Sequence, residues 1–207
     1  MPALTAHRRY LFPATRGAGR AAGSVLLAFL ATLLCPTGTV DVLLRTDVTV
    51  VALMLCPLFG PVVAASCFAS PGKELERQVA HKAVLGPVAL RRFGWALTMT
   101  AGMMAGPLVA GWLRGFPLDL LGCLGRNAFF AMGLTMLGAL LLPPAASWSL
   151  LLAIVLVTWI FGSVDAGGSP AGWALLLQPW EAWIWAATSG LVFLVGFTLY
   201  VLFDGCE

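Results

Sequence analysis

The feature that most constrains this chain is a series of six apolar stretches that contain almost no ionisable side chain. The 207 residues are 60% hydrophobic and 10% charged, and the mean hydropathy is +0.93. A soluble domain of this length needs far more polar surface than that. Since the charged residues fall mainly between the apolar stretches, the pattern predicts an all-α integral membrane protein.

A transmembrane helix needs about 20 apolar residues to cross roughly 30 Å of hydrocarbon. Applied along the sequence, this length predicts six transmembrane helices in a single domain over residues 1–207. The predicted spans are Ala21–Cys35 (extendable to Val40), Val48–Phe68, Gly94–Leu113, Asn127–Leu142, Ser147–Val164 and Trp183–Phe203. Between the fourth and fifth spans, Pro143-Pro144 predicts a tight turn, because two prolines cannot continue a helix.

The distribution of basic residues predicts that both termini are cytoplasmic, because short cytoplasmic loops are enriched in Lys and Arg. With the N-terminus inside, the residues Arg8, Arg9, Arg16, Arg20, Lys73, Arg77, Lys82, Arg91 and Arg92 lie inside, against Arg45, Arg114 and Arg126 outside. Most tryptophans then fall near the outer interface, where amphipathic rings are favoured. A cleaved signal peptide at the first span is an alternative that the five later spans disfavour.

The positions of the titratable residues disfavour several catalytic and ion-coupled classes. Both histidines, His7 and His81, and all the carboxylates fall outside the predicted spans. Intramembrane proteases and proton- or sodium-driven carriers need such groups at membrane depth. The P-loop pattern GxxxxGK[ST] is also missing from the sequence. We therefore expect no catalytic residue, no metal site and no cofactor in this chain, and any energy for transport has to come from a partner.

A stripe of small residues in the third span favours close helix packing. Gly102 and Gly106 form a GxxxG motif that Ala110 continues. Such a stripe lets another helix approach closely, either within the same chain or in a dimer.

The five cysteines contain no CxxC pair, so a zinc site is not expected. Cys35 and Cys123 both fall near the predicted outer face, where a disulfide is chemically permitted. Free thiols that pack as small apolar side chains are the favoured interpretation.

The longest cytoplasmic loop, residues 69–93, contains a helix-start signature. Ser70 can cap the helix and Pro71 suits its first turn, while Glu74 and Glu76 favour the positive end of the helix dipole. The loop therefore predicts a short charged helix beneath the membrane. It is either an ordinary solvated helix or a docking element for a soluble partner.

With these features the chain resembles the small permease subunits of ABC-2 type transporters, particularly the short actinobacterial kind. The resemblance is carried by Ser70–Glu76 after the second span, by Gly125–Ala128 at the start of the fourth, and by the run Leu191–Tyr200. It is diffuse but covers most of the chain. The ending Asp204–Glu207 departs from the basic tail that is common in these subunits.

The resemblance implies a membrane-spanning permease subunit of an ABC exporter in the bacterial plasma membrane, with an amphipathic, lipid-like or peptide cargo. ATP and magnesium would be bound by a partner P-loop ATPase, and a cytoplasmic coupling helix would contact that ATPase. The contact residues would be Glu74, Leu75, Glu76 and Arg77.

The resemblance also implies a second permease subunit, identical or different. The basic arm Arg8–Arg20 predicts contact with anionic membrane lipid, and the net charge of +3 gives no reason to expect a nucleic-acid partner. An outer re-entrant segment would precede the last span, where irregular backbone can end inside protein. Its residues would include Gly167, Gly168, Pro170 and Gly172.

Two other functions stay open from the sequence. The first is a non-transporting membrane protein, such as an interaction, immunity or assembly factor. The second is a lipid-modifying membrane enzyme in which Arg126 and Asp119 bind a head group, although no nucleophile–base pair accompanies them.

Overall fold

The computed structural model describes residues 17–35, 51–68, 87–162, 170–181 and 183–203, and these residues are almost entirely helical. The helices are α1 (Ala18–Leu34), α2 (Val51–Leu55, the 3₁₀ turn Cys56–Leu58 and Phe59–Phe68), α3 (Pro87–Leu113), α4 (Leu118–Leu141), α5 (Ser149–Phe161) and α6 (Trp183–Phe203). A separate 3₁₀ turn, Leu175–Leu177, precedes α6. The predicted all-helical fold is confirmed for this part of the chain.

Three of the helices are long and apolar enough to cross a membrane, over Ala89–Leu113, Leu118–Leu141 and Trp183–Leu202. The other helices in the described ranges are shorter: α1 has 17 residues and α5 has 13. At 1.5 Å per residue α5 is about 20 Å long, less than a hydrocarbon layer of about 30 Å. Six full-length spans are therefore not supported, and the three long helices indicate a membrane protein.

Two helices begin well before the predicted spans. α3 begins at Pro87 instead of Gly94, and α4 begins at Leu118 instead of Asn127. The sequence prediction stopped at charged side chains, but helical backbone hydrogen bonding continues through them. Arg126 therefore lies about two turns inside α4 rather than ahead of it.

The turn predicted at Pro143-Pro144 is confirmed, because α4 ends before it and α5 begins after it. The Ala146 N–H donates to the Pro143 carbonyl oxygen at 2.8 Å and closes the turn. α5 is shorter than its predicted span, whereas α6 has the predicted bounds, Trp183–Phe203.

Contacts between α1 and α3 establish that these two helices are parallel. A Cβ placed on Gly102 would lie 3.0 Å from Val25 Cγ2, and one on Gly106 would lie 3.6 Å from Phe29 Cβ. The contact positions therefore advance in the same direction along both helices.

α2 is antiparallel to α1. A Cβ on Gly60 would lie 2.6 Å from Ala28 Cβ, and the Cys67 thiol lies 4.0 Å from the Gly17 carbonyl oxygen. As the α2 position advances, its contact on α1 moves back toward the start of that helix. The helices α1, α2 and α3 thus alternate in direction.

The alternation continues through the second half of the chain. Short turns at residues 114–117 and 142–148 join α3 to α4 and α4 to α5, and each pair packs together. α6 is parallel to α4, since Gly122 contacts Trp180 and Gly133 contacts Phe193. The helices therefore lie side by side, and each runs in the opposite direction to the one before it in the chain.

This arrangement gives the bundle two ends. We call one the Arg126 end; it holds Cys35, residues 114–117 and residues 170–181. We call the other the Tyr200 end; it holds the start of α1, the end of α2 and the Pro143-Pro144 turn.

The helices α4 and α6 approach each other closely at two glycines. A Cβ on Gly133 would lie 2.7 Å from Phe193 Cα, and a Cβ on Gly196 would collide with the Gly133 carbonyl oxygen. A side chain at either position would push the two backbones apart. The buried core beside this crossing is built largely from small and sulfur-containing side chains, including Ala96, Met99, Met103, Met132, Met136 and Ala139.

Candidate functional site

Two neighbouring polar side chains on α4, Arg126 and Asn127, are buried. Their exposed fractions are 5% and 1%. The Asn127 Oδ1 accepts from Arg126 Nε at 3.2 Å and from Arg126 Nη2 at 3.1 Å. Burial of polar groups is costly unless their donors and acceptors form hydrogen bonds. The hydrogen-bond partners of the pair therefore indicate its structural role.

Those partners lie in residues 170–181, which we call the cap segment. Arg126 Nη2 donates to the Gln178 carbonyl oxygen at 2.8 Å, and Nη1 donates to the Pro179 carbonyl oxygen at 3.2 Å. Asn127 Nδ2 donates to the Leu176 carbonyl oxygen at 2.8 Å. Two adjacent side chains of α4 therefore bind three backbone carbonyls of the cap segment. No α-helical hydrogen bonds satisfy these carbonyls, because the segment is not an α-helix.

The cap segment also has bonds of its own. The Ala171 N–H donates to the carbonyl oxygen of Gly162 at the end of α5, at 2.7 Å. The Gln178 side chain donates back to the Ala171 carbonyl oxygen at 2.7 Å. Leu175 and Leu176 are buried against the bundle. The cap segment is thus compact and covers the Arg126 end of the bundle.

Trp180 closes the cap segment against α4. Its ring lies directly over Gly122, where an added Cβ would be 2.6 Å from Trp180 Cδ2. The Cys123 thiol also contacts the cap segment, because it donates to the Gln178 carbonyl oxygen at 3.7 Å. A glycine is required at position 122 because any side chain would lift the indole from the helix.

The electrostatics of Arg126 are unusual for a buried cation. Within the described part of the chain its hydrogen bonds all go to neutral oxygens. The carboxylates of Asp119 and Glu181, at the same end of the bundle, are exposed to solvent. Charge-assisted bonds to several carbonyl dipoles are the stabilising term that offsets the desolvation of this guanidinium.

A second arginine binds backbone at the same end. Arg114 Nη1 donates to the carbonyl oxygens of Thr32 at 2.9 Å and Cys35 at 2.6 Å, and its guanidinium lies 4.8 Å from the Phe116 ring centroid. The last carbonyls of a helix have no intrahelical donors, so Arg114 caps the end of α1 from the turn between α3 and α4.

Two apolar depressions lie beside these elements. One, of about 340 Å³, lies between α5 and the cap segment and is lined by Phe130, Ile154, Val157, Trp173 and Leu176. The other, of about 640 Å³, is an open groove along α1 and α3 lined by Val25, Phe29, Trp95, Met99 and Val109. Their linings suit hydrocarbon and contain few polar atoms.

The residues that the sequence singled out are placed as follows. Gly102 and Gly106 contact α1 of the same chain, and Ala110 is fully buried on the same helix. Pro170 and Gly172 lie in the cap segment, where a Cβ on Gly172 would meet nothing within 4 Å. The other predicted site residues lie outside the described residues; they are Glu74, Leu75, Glu76, Arg77, Gly167 and Gly168.

The favoured interpretation of Cys35 and Cys123 as free thiols is confirmed, and the disulfide that the sequence permitted between them is absent. Sequence reasoning also missed Asn127, Gln178 and Trp180, and it placed Arg126 at a span boundary. The signal that could have found the pair is an arginine within an otherwise apolar helix, because intramembrane charges are costly and are retained for specific contacts.

The site as a whole is suited to positioning rather than to bond chemistry. The donors of Arg126, Asn127 and Arg114 are directed at backbone carbonyls, which holds a loop and a helix end in place. Comparison of the chain with protein-family models, with curated proteins and with solved structures finds no match.

Proposed function

We propose that the chain is a membrane-spanning permease subunit of an ABC exporter. In this proposal it moves an amphipathic, lipid-like or peptide cargo and uses ATP that a partner P-loop ATPase hydrolyses. The proposal begins from the sequence resemblance and is supported by three features of the described residues. The chain itself would act as a path and a moving scaffold, and ATP and magnesium would be bound by the partner.

The observation that carries the proposal is the cap segment. It is irregular backbone that comes directly before the last long apolar helix, and Arg126 and Asn127 bind its carbonyls from within the bundle. Irregular backbone at membrane depth is tolerated only where protein satisfies its polar groups. The resemblance implies a re-entrant segment before the last span, and such a segment requires hydrogen-bond donors of this kind from the bundle.

The helix directions give a second support. Since the described helices alternate in direction, we propose that the shorter helices α1, α2 and α5 also cross the bilayer, which gives six passes. Locally thinned lipid accommodates short helices at a modest cost. The basic N-terminal arm then places both termini in the cytoplasm and the Arg126 end outside.

The third support is the placement of charge. The acidic residues of the described ranges, Asp119 and Glu181, are exposed at the Arg126 end. Ion-driven carriers place a carboxylate near the membrane midplane. The observed arrangement instead favours energy supplied by another chain, and the charged loop that includes Glu74 and Glu76 is the proposed contact.

The membrane-facing partners follow from the surface. The groove along α1 and α3 is apolar and open, and we propose that membrane lipid or the second permease subunit lies against it. Gly102 and Gly106 form part of its floor, and their contacts with α1 account for the small-residue stripe within one chain.

The test is copurification of the full chain with the P-loop ATPase encoded beside its gene, followed by ATP hydrolysis in liposomes. We expect a stable complex in which the permease changes the ATPase rate at least several-fold. Glu74→Lys and Glu76→Lys should each weaken the complex, because they reverse charge at the proposed contact. Glu181→Lys is the matched control, since it makes the same change at the Arg126 end.

Purification as a lone chain, with no effect on any neighbouring ATPase, would reject the proposal. A stable complex with a partner that hydrolyses no ATP would instead favour an interaction, immunity or assembly factor. Equal loss of binding in Glu181→Lys and Glu74→Lys would also count against the coupling helix, because the effect would then be general misfolding.

A further inference from the structure

Two cysteines from different helices meet at the Arg126 end. Cys35 ends α1, and Cys56 opens the 3₁₀ turn inside α2. Cys35 and Leu53 form a small buried apolar cluster, and Cys56, Phe116 and Leu120 pack against it. The two cysteines therefore lie in the same small contact region, where α1 packs on the 3₁₀ turn of α2.

The fold brings these residues together for identifiable reasons. Arg114 binds the Cys35 carbonyl oxygen at 2.6 Å, which fixes the end of α1. In α2, Pro57 follows Cys56 and lacks a backbone N–H, so the helix tightens into a 3₁₀ turn at this point. The cysteine before it therefore sits at a break in α2, next to the capped end of α1.

The other described cysteines are separated from this pair. Cys123 donates its thiol to the Gln178 carbonyl oxygen in the cap segment. Cys67 lies at the Tyr200 end, near the Gly17 carbonyl oxygen. Each therefore has a different neighbour, and Cys56 is the cysteine that packs against the cluster containing Cys35.

We propose that Cys35 and Cys56 are a redox site that closes to a disulfide at the outer face of the membrane. The inference is independent of ATP-driven transport but rests on the proposed orientation, which places the Arg126 end outside, where disulfides persist. A bond here would tie α1 covalently to α2, at the position that Arg114 holds by hydrogen bonds.

The oxidant is a small or protein disulfide, R–S–S–R. Cys56 is partly exposed, whereas Cys35 is 6% exposed, so the Cys56 thiolate attacks first. It forms a mixed disulfide and expels one RSH. The Cys35 thiolate then attacks the Cys56 sulfur, the second RSH leaves, and the Cys35–Cys56 bond forms. Two protons and two electrons pass from the cysteines to the oxidant, so the exchange balances.

The experiment counts free thiols on the full chain in its native membranes. Intact cells are treated with oxidised glutathione, which does not cross the membrane, then quenched with acid, denatured and labelled with maleimide–polyethylene glycol. The chain has five cysteines. One disulfide leaves three labelled positions before reduction and five after, so reduction should add two labels.

Single variants identify the pair. The gain of two labels should vanish in Cys35→Ser and in Cys56→Ser, and it should persist in the matched control Cys123→Ser. In Cys35→Ser, glutathione should remain attached to Cys56, whereas Cys56→Ser should leave Cys35 largely unmodified because that thiol is buried.

Loss of the gain in Cys123→Ser would overturn the assignment in favour of a Cys35–Cys123 bond. No gain in the wild-type chain, even with the oxidant added in detergent, would overturn the site itself. A bond that forms in detergent but never in intact cells would overturn the outer location, whatever the ATPase experiment gives. Serine variants that insert and purify at wild-type yield make these results interpretable.

Discussion

The two ends of the bundle are stabilised by different interactions. At the Arg126 end, Arg126, Asn127 and Arg114 donate hydrogen bonds to backbone carbonyls of the cap segment and of α1. At the Tyr200 end, aromatic rings meet edge to face: Phe68 and Tyr200 have centroids 5.2 Å apart, with an angle of 81° between their planes. Directional donors therefore hold the irregular backbone of the cap segment, whereas edge-to-face aromatic packing contributes to the Tyr200 end.

This difference between the two ends affects how easily each end can open. A segment held by a few hydrogen bonds can be released by changing one side chain, while a packed helix interface resists small changes until it fails. We therefore expect the cap segment to open independently of the helix core.

The largest effect is expected at the α4–α6 crossing. Gly133→Leu would place a side chain where the Phe193 backbone already lies within 2.7 Å of an added Cβ. We expect a loss of more than about 4 kcal/mol in the free energy of unfolding, because the backbones have to separate. Thermal unfolding in detergent measures this. Gly190→Leu is the control, since its Cβ would meet nothing within 4 Å, and an equal loss there would contradict the packing argument.

The next effect is expected at the polar pair. Arg126→Ala removes the donors for the Gln178 and Pro179 carbonyls, and we expect a cost of about 3 kcal/mol that is concentrated in the cap segment. Arg126→Lys keeps the charge but loses the planar fork, so it should recover part of this loss. Protease cleavage within residues 170–181 is the readout. Arg91→Ala, an exposed arginine on α3, should leave cleavage unchanged.

A smaller effect is expected at the α1 cap. Arg114→Ala leaves the Thr32 and Cys35 carbonyls without this donor and should cost about 1–2 kcal/mol. Hydrogen exchange should rise in the last turn of α1 and stay unchanged in the cap segment. Faster exchange in both the last turn of α1 and the cap segment would contradict this prediction, because it would mean that Arg114 and Arg126 do not stabilise these two regions independently.

The smallest effect is expected at the Tyr200 end. Phe68→Leu keeps an apolar side chain and removes the edge-to-face contact with Tyr200, which should cost about 1 kcal/mol. The unfolding temperature should fall slightly, and protease cleavage of residues 170–181 should not change. Increased cleavage there would show that the two ends are coupled and would weaken the contrast between them.

Much of the fold could be predicted from hydropathy, but the polar site could not. The bounds of α6 and the turn at Pro143-Pro144 followed directly from apolar length and from proline chemistry. The start of α4 was misplaced because Arg126 was interpreted as the end of a loop. A hydropathy pattern reports the polarity of a side chain, whereas helix bounds depend on backbone hydrogen bonds that a buried and well-partnered arginine does not interrupt.

The candidate site was missed for a related reason. Asn127 donates to the Leu176 carbonyl oxygen, 49 positions later, and no local pattern links an amide on one helix to a backbone carbonyl of a distant segment. The cysteines give a parallel case: the sequence favoured free thiols and named only Cys35 with Cys123 as a permitted pair, whereas the packing of α1 on α2 places Cys56 against the cluster that contains Cys35. Pairings of this kind depend on helix direction and on the local 3₁₀ turn at Cys56.

The amino-acid sequence alone predicts a helical membrane protein, because apolar length and the scarcity of charge within the apolar stretches leave few other solutions in water or lipid. Which helices are neighbours, which carbonyls Arg126 and Arg114 bind, and which cysteine packs near Cys35 are known only from the packed helices. The physical reason is that hydrophobic burial is non-directional and can be summed along a sequence. Hydrogen bonds and thiol contacts, in contrast, require specific atoms within a few ångströms of each other, and those distances are set only when the helices pack.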